Sequence, residues 1–309
     1  MRITFAGGLV AAGALTAAVA AAHDGGHEDK PAVSVAWAKG PYVALGDSYT
    51  AGPMIPGQHG TPAGCARSDH NYPSLVAARL GITATDFRDM SCTGATVADL
   101  TAPQHTDDGT NPAQLTALSA KTRLVSIGIG GNDTGFGPMI KRCVTMGAVY
   151  HALGSGTYIS DDSPCKRLST EDGSNDQVER KTGTAGARLA DALREIKRRA
   201  PEAHVYVVGY PDILSTDSSA CERVMSLAPG DMAYLREKEQ RLNTELRERA
   251  EAAGAVYVDT YGPSEDHNAC SAEDTRWIEP LLPSSLAVAV HPNARGEQGM
   301  ADAVLRTIR

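Results

Sequence analysis

The chain has 309 residues, of which 42% are hydrophobic and 21% are charged, and its formal net charge is −8. This is the composition of an ordinary globular protein with ample chain to bury one core. Because the balance is acidic and no Lys/Arg block occurs, a surface for nucleic acid or another polyanion is not expected.

The first 22 residues predict a secretory signal peptide. Arg2 supplies a positive start, an apolar stretch follows to about Ala17, and Ala18-Val19-Ala20 and Ala20-Ala21-Ala22 fit small-x-small cleavage. A single membrane anchor is the alternative, but the stretch is near the lower length limit for a span and is rich in Ala and Gly. We therefore predict an extracellular protein that is not stably inserted in a membrane after signal removal.

Residues 23–39 are polar at their start, contain glycine and lack periodicity, which predicts a disordered linker. His23 and His27 lie in this segment, but so sparse a cluster is more typical of a solvated linker than of a metal site. We place one domain over 40–309 and expect it to be a monomer.

Strand and helix signals alternate along this domain. Gly81 is the expected stop of the first helix, Pro201 ends the second, and Asp231 is the expected N-cap of the third. In chain order the elements are strand YVALG (42–46), helix NYPSLVAARLG (71–81), strand FRDMSC (87–92), strand TRLVSIGIGGND (122–133), helix AGARLADALREIKRRA (185–200), strand HVYVVGYP (204–211), helix DMAYLREKEQRLNTELRERAEAAG (231–254), strand AVYVDTYG (255–262) and helix ARGEQGMADAVLRTIR (294–309).

This alternation, with unbroken apolar strands, predicts an α/β fold in which helices cover both faces of a parallel sheet. The segment from about Cys143 to Asp176 interrupts the pattern, because it is rich in Gly, Ser and Asp and carries two cysteines. We expect it to be a disulfide-stapled surface excursion at the rim of the site.

The chain has six cysteines, and none of them forms a C-x-x-C pair, which argues against zinc or redox chemistry. In an oxidising compartment they would form three disulfides. Six cysteines allow 15 pairings and the sequence does not choose among them. The simplest pairing closes three local loops: Cys65–Cys92, Cys143–Cys165 and Cys221–Cys270.

Polar residues follow three of the predicted strands, at the edge where ligands gather in open α/β sheets. Ser48 follows the first strand, Gly94 lies after the second and Asn132 after the third, while His291 precedes the last helix. A serine needs a base to become a nucleophile, and histidine is the usual base. The backbone N–H groups of Ser48 and Gly94 and the Asn132 amide are candidate donors for the oxyanion of acyl transfer.

These four blocks carry a resemblance. GDSYTAGP (46–53), Gly94, GGND (130–133) and HPNARG (291–296) resemble the GDSL esterases and lipases of the SGNH hydrolase family, most closely its secreted, three-disulfide actinomycete branch. The resemblance implies a flavodoxin-like three-layer α/β/α sandwich and ester hydrolysis through an acyl-enzyme, without metal or cofactor. It also implies that Ser48 is the nucleophile, that His291 is the base, and that Ser48, Gly94 and Asn132 form the oxyanion hole.

One position departs from the family pattern. Many members have an aspartate three residues before the histidine, and here that residue is Val288. Because some members of the secreted branch use a main-chain carbonyl, the resemblance points to the Val288 carbonyl and a Ser-His dyad. Asp259 at a strand end is the alternative carboxylate, whereas Asp47 and Asp133 are expected to be structural.

The substrate is predicted to be a lipid or other ester, with lipase, esterase and phospholipase A activity all open. Met54, Ile55 and Pro56 follow the serine closely and suggest an acyl-chain groove. An acyltransferase or a carbohydrate esterase would use the same site, and a non-catalytic binding protein on the same fold is the alternative outside enzymes. A G-x-S-x-G nucleophile elbow is absent around Ser48, which disfavours the α/β-hydrolase architecture.

Overall fold

The computed structural model describes residues 36–153 and 162–308. The predicted signal peptide and most of the predicted linker lie outside these ranges. The last four linker residues do not fit the prediction, because Ala36–Lys39 form a 3₁₀ helix and Ala38 is fully buried. Ala38 packs with Tyr42 in the core, so the domain begins earlier than the predicted residue 40.

The described chain contains nine strands, nine α-helices and several 3₁₀ turns. The strands are β1 (Tyr42–Gly46), β2 (Gln58–His59), β3 (Arg67–Ser68), β4 (Phe87–Asp89), β5 (Gln104–Thr106), β6 (Gly109–Asn111), β7 (Leu124–Gly128), β8 (His204–Val208) and β9 (Val256–Val258). The helices are α1 (Ser48–Ala51), α2 (Tyr72–Leu80), α3 (Gly131–Thr134), α4 (Phe136–Ala152), α5 (Pro164–Glu171), α6 (Ser174–Arg199), α7 (Ser218–Met225), α8 (Pro229–Ala252) and α9 (Ala294–Thr307).

Five strands form the central sheet in the order β4-β1-β7-β8-β9, and every neighbouring pair is parallel. Numbered along the chain among themselves, these strands follow the flavodoxin-like order 2-1-3-4-5, as predicted. The order reverses between β1 and β7, which pair along their whole length with Gly46 opposite Gly128. Because both strands end at the same level, the segments that follow them start side by side at the carboxyl edge.

Alternating residues of the strands feed two separate layers of core. Val43 and Leu45 face the layer that contains Leu189 of α6 and Leu242 of α8. The intervening residues of β1 face the opposite layer, where α2 and α9 pack together. A sheet with helices on both faces is the predicted three-layer α/β/α sandwich.

The local signals at helix ends are confirmed for α2 and wrong for α8. Asn71 caps α2 by accepting the Ser74 N–H, and Gly81 adopts φ +69° at its end. The helix α8 begins at Pro229, so Asp231 lies inside its first turn rather than at the N-cap. The buried Asp231 carboxylate instead accepts the N–H groups of Cys165 and Lys166, which are orphan donors at the start of α5.

The three disulfides follow the simplest pairing: Cys65–Cys92, Cys143–Cys165 and Cys221–Cys270. The second bridge joins α4 to α5, so the predicted excursion is a stapled pair of helices in the part of it that the structure describes. Residues 154–161 between the two helices lie outside the described ranges. Within residues 36–153 and 162–308, no helix combines the length and apolarity that crossing a bilayer requires.

Candidate active site

The strand β1 ends in a turn that only glycine fits, and this turn presents Ser48. Gly46 has φ +157°, and a Cβ there would lie 2.2 Å from Thr50 Oγ1 and 2.6 Å from the Gly128 carbonyl oxygen. Asp47 then caps α1 by accepting the Tyr49 N–H at 2.9 Å. Ser48 is therefore the first residue of a short helix at the carboxyl edge of the sheet, and the residue is 6% exposed.

His291 meets Ser48 across 243 positions of sequence. The Ser48 Oγ lies 2.9 Å from His291 Nε2, which is hydrogen-bond distance for a hydroxyl and a base. On the other side of the ring, His291 Nδ1 lies 2.9 Å from the Ala289 carbonyl oxygen. A proton on Nδ1 that is donated to this carbonyl leaves Nε2 free to accept the serine proton.

The predicted orienting carbonyl, that of Val288, is wrong by one residue. The Val288 oxygen accepts the backbone N–H of His291 at 3.2 Å and so closes a turn over residues 288–291. Val290 within this turn has φ +60°. A left-handed residue at this position turns the chain so that the Ala289 carbonyl, and not that of Val288, reaches the imidazole.

No carboxylate is recorded as a partner of His291 in the described chain. Asp259, the alternative from the sequence, accepts the N–H groups of Tyr261 and Gly262 instead. The buried Glu279 carboxylate accepts from the Ser285 hydroxyl and the Asn293 amide, and these bonds fold the segment that leads to His291. Burial lowers the pKa of His291 below its ordinary 6.5, and the bond to Ala289 opposes that shift.

The three predicted oxyanion donors lie on adjoining segments of the carboxyl edge. Asn132, in α3 directly after β7, donates one amide proton to the Ala95 carbonyl at 2.9 Å, which leaves its second amide proton available. Gly94 has φ +78° and is exposed next to Ala95. Among the described residues, no acceptor is recorded for the backbone N–H groups of Ser48 and Gly94.

Asp47 and Asp133 have structural partners, as the sequence predicts. The Asp47 carboxylate accepts the Tyr210 hydroxyl as well as the Tyr49 N–H, and burial raises its pKa to about 7. Asp133 accepts the Val97 N–H at 2.9 Å, and burial raises its pKa too. The Asp47–Tyr210 bond ties the segment after β1 to the segment after β8, and the Asp133–Val97 bond ties the segment after β7 to the segment after β4.

An apolar cavity of about 300 Å³ opens beside Ser48 and His291. Its size is at the lower end for small-ligand pockets, and its walls are mainly apolar side chains. Its apolar lining comes chiefly from α4, α8 and the segment before His291: Phe136, Ile140, Val144, Ile213, Leu242, Leu281, Ala289 and Val290.

The acyl-chain groove predicted from Met54, Ile55 and Pro56 is not there. None of the three lines the cavity: Met54 is 58% exposed, Ile55 is buried, and Pro56 borders a different depression. The chain turns away after α1, because Gly52 ends that helix in the left-handed conformation. Part of the cavity wall comes instead from α4, which begins at Phe136 and enters the predicted excursion only at Cys143.

Sequence reasoning missed two tyrosines of the site. The Tyr49 hydroxyl donates to the Val290 carbonyl at 2.5 Å, and the Tyr49 ring lies 4.9 Å from the His291 ring. The Tyr210 hydroxyl accepts the Gly131 N–H at 2.8 Å and donates to Asp47. Their positions in the sequence could have indicated them. Tyr49 follows the candidate nucleophile, and Tyr210 follows β8 at the edge where the other site residues lie.

A serine is bonded to a histidine beside an apolar cavity, at the switch point of a flavodoxin-like sheet, and this arrangement indicates a hydrolase. Residues 44–298 match the GDSL-like Lipase/Acylhydrolase family. The chain belongs to this family, the one predicted, and it is a carboxylic ester hydrolase.

Two relatives and two solved structures place the chain within this family. It is 42% identical to "Lipase 2" of Streptomyces coelicolor over 84% of this chain and 83% of that one. It is 30% identical to an "Esterase" of Streptomyces scabiei over 85% of this chain and 84% of that one. An extracellular lipase from Streptomyces rimosus superposes with a TM-score of 0.67 at 27% identity, covering 87% of this chain and 100% of that one. A phospholipase A1 from Streptomyces albidoflavus superposes with a TM-score of 0.64 at 25% identity, covering 87% of this chain and 99% of that one.

Proposed function

We propose that the protein is a secreted lipase or esterase that works through an acyl-enzyme with a Ser48–His291 dyad. One observation carries the proposal. Ser48 Oγ is hydrogen-bonded to His291 Nε2, His291 Nδ1 is hydrogen-bonded to the Ala289 carbonyl oxygen, and all three residues line an apolar cavity. Such a line moves a proton off the serine without a carboxylate, and the cavity is suited to an acyl chain.

The first half of the reaction forms the acyl-enzyme. Ser48 Oγ bonds to the ester carbonyl carbon while its proton passes to His291 Nε2. The N–H groups of Ser48 and Gly94 and the Asn132 amide donate to the oxyanion. As the carbonyl re-forms, the bond to the alcohol oxygen breaks and His291 gives the proton to that oxygen.

The second half releases the acid by the same steps. A water molecule loses a proton to His291 Nε2 and bonds to the acyl carbon, and then the bond to Ser48 Oγ breaks. The Ser48 oxygen takes back the proton and the dyad is restored. Because the Ala289 carbonyl is neutral, the imidazolium is stabilised less than it would be by a buried carboxylate.

The lipid preference follows from the lining of the cavity, and a phosphate-bearing lipid is favoured by one further residue. Lys141 borders the cavity on α4, one turn along from Phe136 and Gly137. A cation at the mouth of an acyl cavity, in a protein of net charge −8, can attract the phosphate of a phospholipid. The likeness to a phospholipase A1 is consistent with that substrate.

Secretion is part of the proposal. It is supported by the N-terminal 22 residues and by three disulfides, which persist in oxidising compartments. Culture medium and cell lysate, compared by immunoblot and N-terminal sequencing, would test it. A mature protein in the medium that begins after residue 20 or 22 is expected, and intact precursor confined to the cells would contradict it.

Hydrolysis assays test the activity. Purified protein and Ser48→Ala are compared on p-nitrophenyl esters of short and long acyl chains, a triglyceride and phosphatidylcholine. We expect Ser48→Ala to lose at least about a thousandfold in kcat on every ester that the wild type cleaves. Full activity in Ser48→Ala would overturn the nucleophile, and no turnover of any ester by the wild type would overturn the function. Added alcohol acceptors separate hydrolysis from acyl transfer, because transfer would yield new esters.

A further inference from the structure

We propose that Tyr49 is the positioning residue for His291, taking the part that a carboxylate has in a full triad. Its hydroxyl holds residue 290 in the backbone conformation that presents the Ala289 carbonyl to Nδ1. This inference rests on the proposed function of the dyad and deepens it.

Tyr49 connects the two halves of the dyad directly. It follows Ser48 in α1, and its backbone N–H is held by Asp47 at 2.9 Å. Its hydroxyl donates to the Val290 carbonyl at 2.5 Å, across 241 positions of sequence. The hydroxyl therefore fixes the segment before the histidine relative to the segment that carries the serine.

The Tyr49 ring is itself held, so the direction of its hydroxyl is defined. The Tyr210 ring packs against it edge-on, with centroids 5.2 Å apart and planes at 75°. The His291 ring lies 4.9 Å away at 38°. The Tyr210 hydroxyl is bonded to both Asp47 and Gly131, which anchors this packing to the ends of β1 and β7. The same ring limits rotation of the imidazole.

Val290 is the residue that needs to be held. Its φ of +60° lies in the left-handed region, where a β-branched residue is rare and strained. Such a conformation persists only when its surroundings over-determine it. Both polar backbone groups of Val290 are bonded: the N–H donates to the Glu279 carbonyl at 2.8 Å, and the carbonyl accepts from Tyr49.

The orientation of His291 depends on that conformation. With Val290 in place, the Val288 carbonyl takes the His291 N–H and the Ala289 carbonyl takes Nδ1. A neutral carbonyl attracts the Nδ1 proton only at hydrogen-bond distance, whereas a carboxylate also acts through its charge. A dyad of this kind therefore needs its backbone fixed more firmly than a triad does, and Tyr49 supplies that bond.

A double-mutant cycle tests the role. Tyr49→Phe removes only the hydroxyl, and we expect kcat to fall about tenfold with KM within about twofold. In a Val290→Gly background the left-handed conformation is unstrained. There the same tyrosine change should cost less than about threefold in kcat. Tyr206→Phe is the control, since Tyr206 lies on the opposite face of the sheet with α2 and α9.

Two readouts separate positioning from general stability. The bond to the Ala289 carbonyl raises the pKa of His291, so the acid limb of kcat/KM in Tyr49→Phe should move to lower pH. The downfield proton NMR signal of Nδ1–H, visible in the wild type, should broaden or vanish in Tyr49→Phe and persist in Tyr206→Phe.

The NMR measurement needs no turnover, so it judges the positioning role even if Ser48 is not the nucleophile. An unchanged Nδ1–H signal in Tyr49→Phe would overturn the proposal. So would a tyrosine change that lowers kcat equally in the wild-type background and in the Val290→Gly background. If Ser48→Ala keeps its esterase activity, another residue is the nucleophile, and that result would count against the proposed function instead.

Discussion

Asn132 is joined to Ala95 by a 2.9 Å hydrogen bond from its side-chain amide to the backbone carbonyl. This bond brings the segment after β7 against the segment that contains Gly94. One amide proton is used in holding Asn132, and the other is free to meet an oxyanion beside Ser48. In the proposed mechanism, the same side chain fixes the geometry of the oxyanion hole and donates within it.

We predict that Asn132→Ala lowers kcat by about a hundredfold to a thousandfold and leaves KM within a few-fold, because the lost donor acts on the transition state. Steady-state kinetics on a p-nitrophenyl ester measure both constants. Asp133→Asn is the matched control on the next residue, since Asp133 bonds to Val97 outside the hole. If KM rises in Asn132→Ala while kcat is unchanged, Asn132 binds the substrate without stabilising the oxyanion.

The acid limb of activity should lie below pH 6.5. A general base must be neutral, and burial lowers the pKa of His291 below 6.5. Lowering the pKa keeps the imidazole unprotonated to a lower pH, so kcat/KM should hold its plateau down through that pH and fall only beneath it. A pH–rate profile with a limb at or above 6.5 would contradict this environment for His291.

Buried Glu297 should make the protein less stable as pH rises. Its Oε2 accepts the Tyr72 N–H at 2.7 Å, while Oε1 is buried without a recorded partner in the described chain, and burial raises its pKa well above 4.5. The folded state then keeps a proton that the unfolded chain releases near 4.5. The free energy of unfolding therefore falls as pH rises through and beyond that value.

Urea unfolding at pH 5 and pH 8 measures the effect. Glu297→Gln keeps the acceptor for Tyr72 and removes the titration, so its free energy of unfolding should fall less between the two pH values than that of the wild type. Glu202→Gln at an exposed position is the control and should follow the wild type. An identical pH dependence in Glu297→Gln and the wild type would count against a buried, protonated Glu297.

The Cys143–Cys165 bridge should support the cavity as well as the fold. It closes 22 residues of sequence between α4 and α5, and α4 supplies Phe136, Ile140 and Val144 to the cavity wall. Replacing both cysteines by serine should cost about 3 kcal/mol of unfolding free energy and raise KM for long acyl esters several-fold. Thermal melts and kinetics measure these effects.

The Cys221–Cys270 bridge provides the comparison, because it closes 49 residues and its helix α7 does not line the cavity. Its double serine variant should lose at least as much stability and leave KM nearly unchanged. Equal increases of KM in the two variants would mean that α4 has no special part in binding.

Lys141→Glu should separate phospholipid from uncharged substrates. Reversing the charge at the cavity mouth should lower kcat/KM on phosphatidylcholine about fivefold relative to a p-nitrophenyl ester, since only the former carries a phosphate. Lys197→Glu has the same charge change near the far end of α6 and should leave the ratio unaltered. Equal effects of both substitutions on the ratio would remove Lys141 from substrate choice.

The sheet could be predicted from the sequence because its signals are local. Unbroken apolar runs such as Tyr42–Gly46 mark buried parallel strands, and Gly46 marks the turn that delivers Ser48. The four blocks of the family resemblance then paired Ser48 with His291, which no local pattern relates. The simplest disulfide pairing was right because each bridge joins neighbouring segments.

The orienting carbonyl, the cavity wall and the role of Asp231 could not be predicted, because they depend on backbone geometry and tertiary packing that residue types do not indicate. A valine at position 290 gives no sign of a left-handed backbone. That conformation nevertheless makes the Ala289 carbonyl, and not the Val288 carbonyl, the partner of His291 Nδ1. Closeness in sequence suggested Met54 and its neighbours as the groove, whereas tertiary packing brings α4 to Ser48. Asp231 carries a capping signature but caps a different helix, which sequence spacing does not reveal.

The most direct measurement is active-site labelling by an alkyl phosphonate probe, followed by mass spectrometry of the peptides. We expect one covalent adduct, on Ser48, with loss of esterase activity in step with labelling. Ser48→Ala should take up no label, and His291→Ala should react far more slowly because the serine proton has no acceptor. Labelling at another residue in parallel with inactivation, or full labelling of Ser48→Ala, would contradict the account.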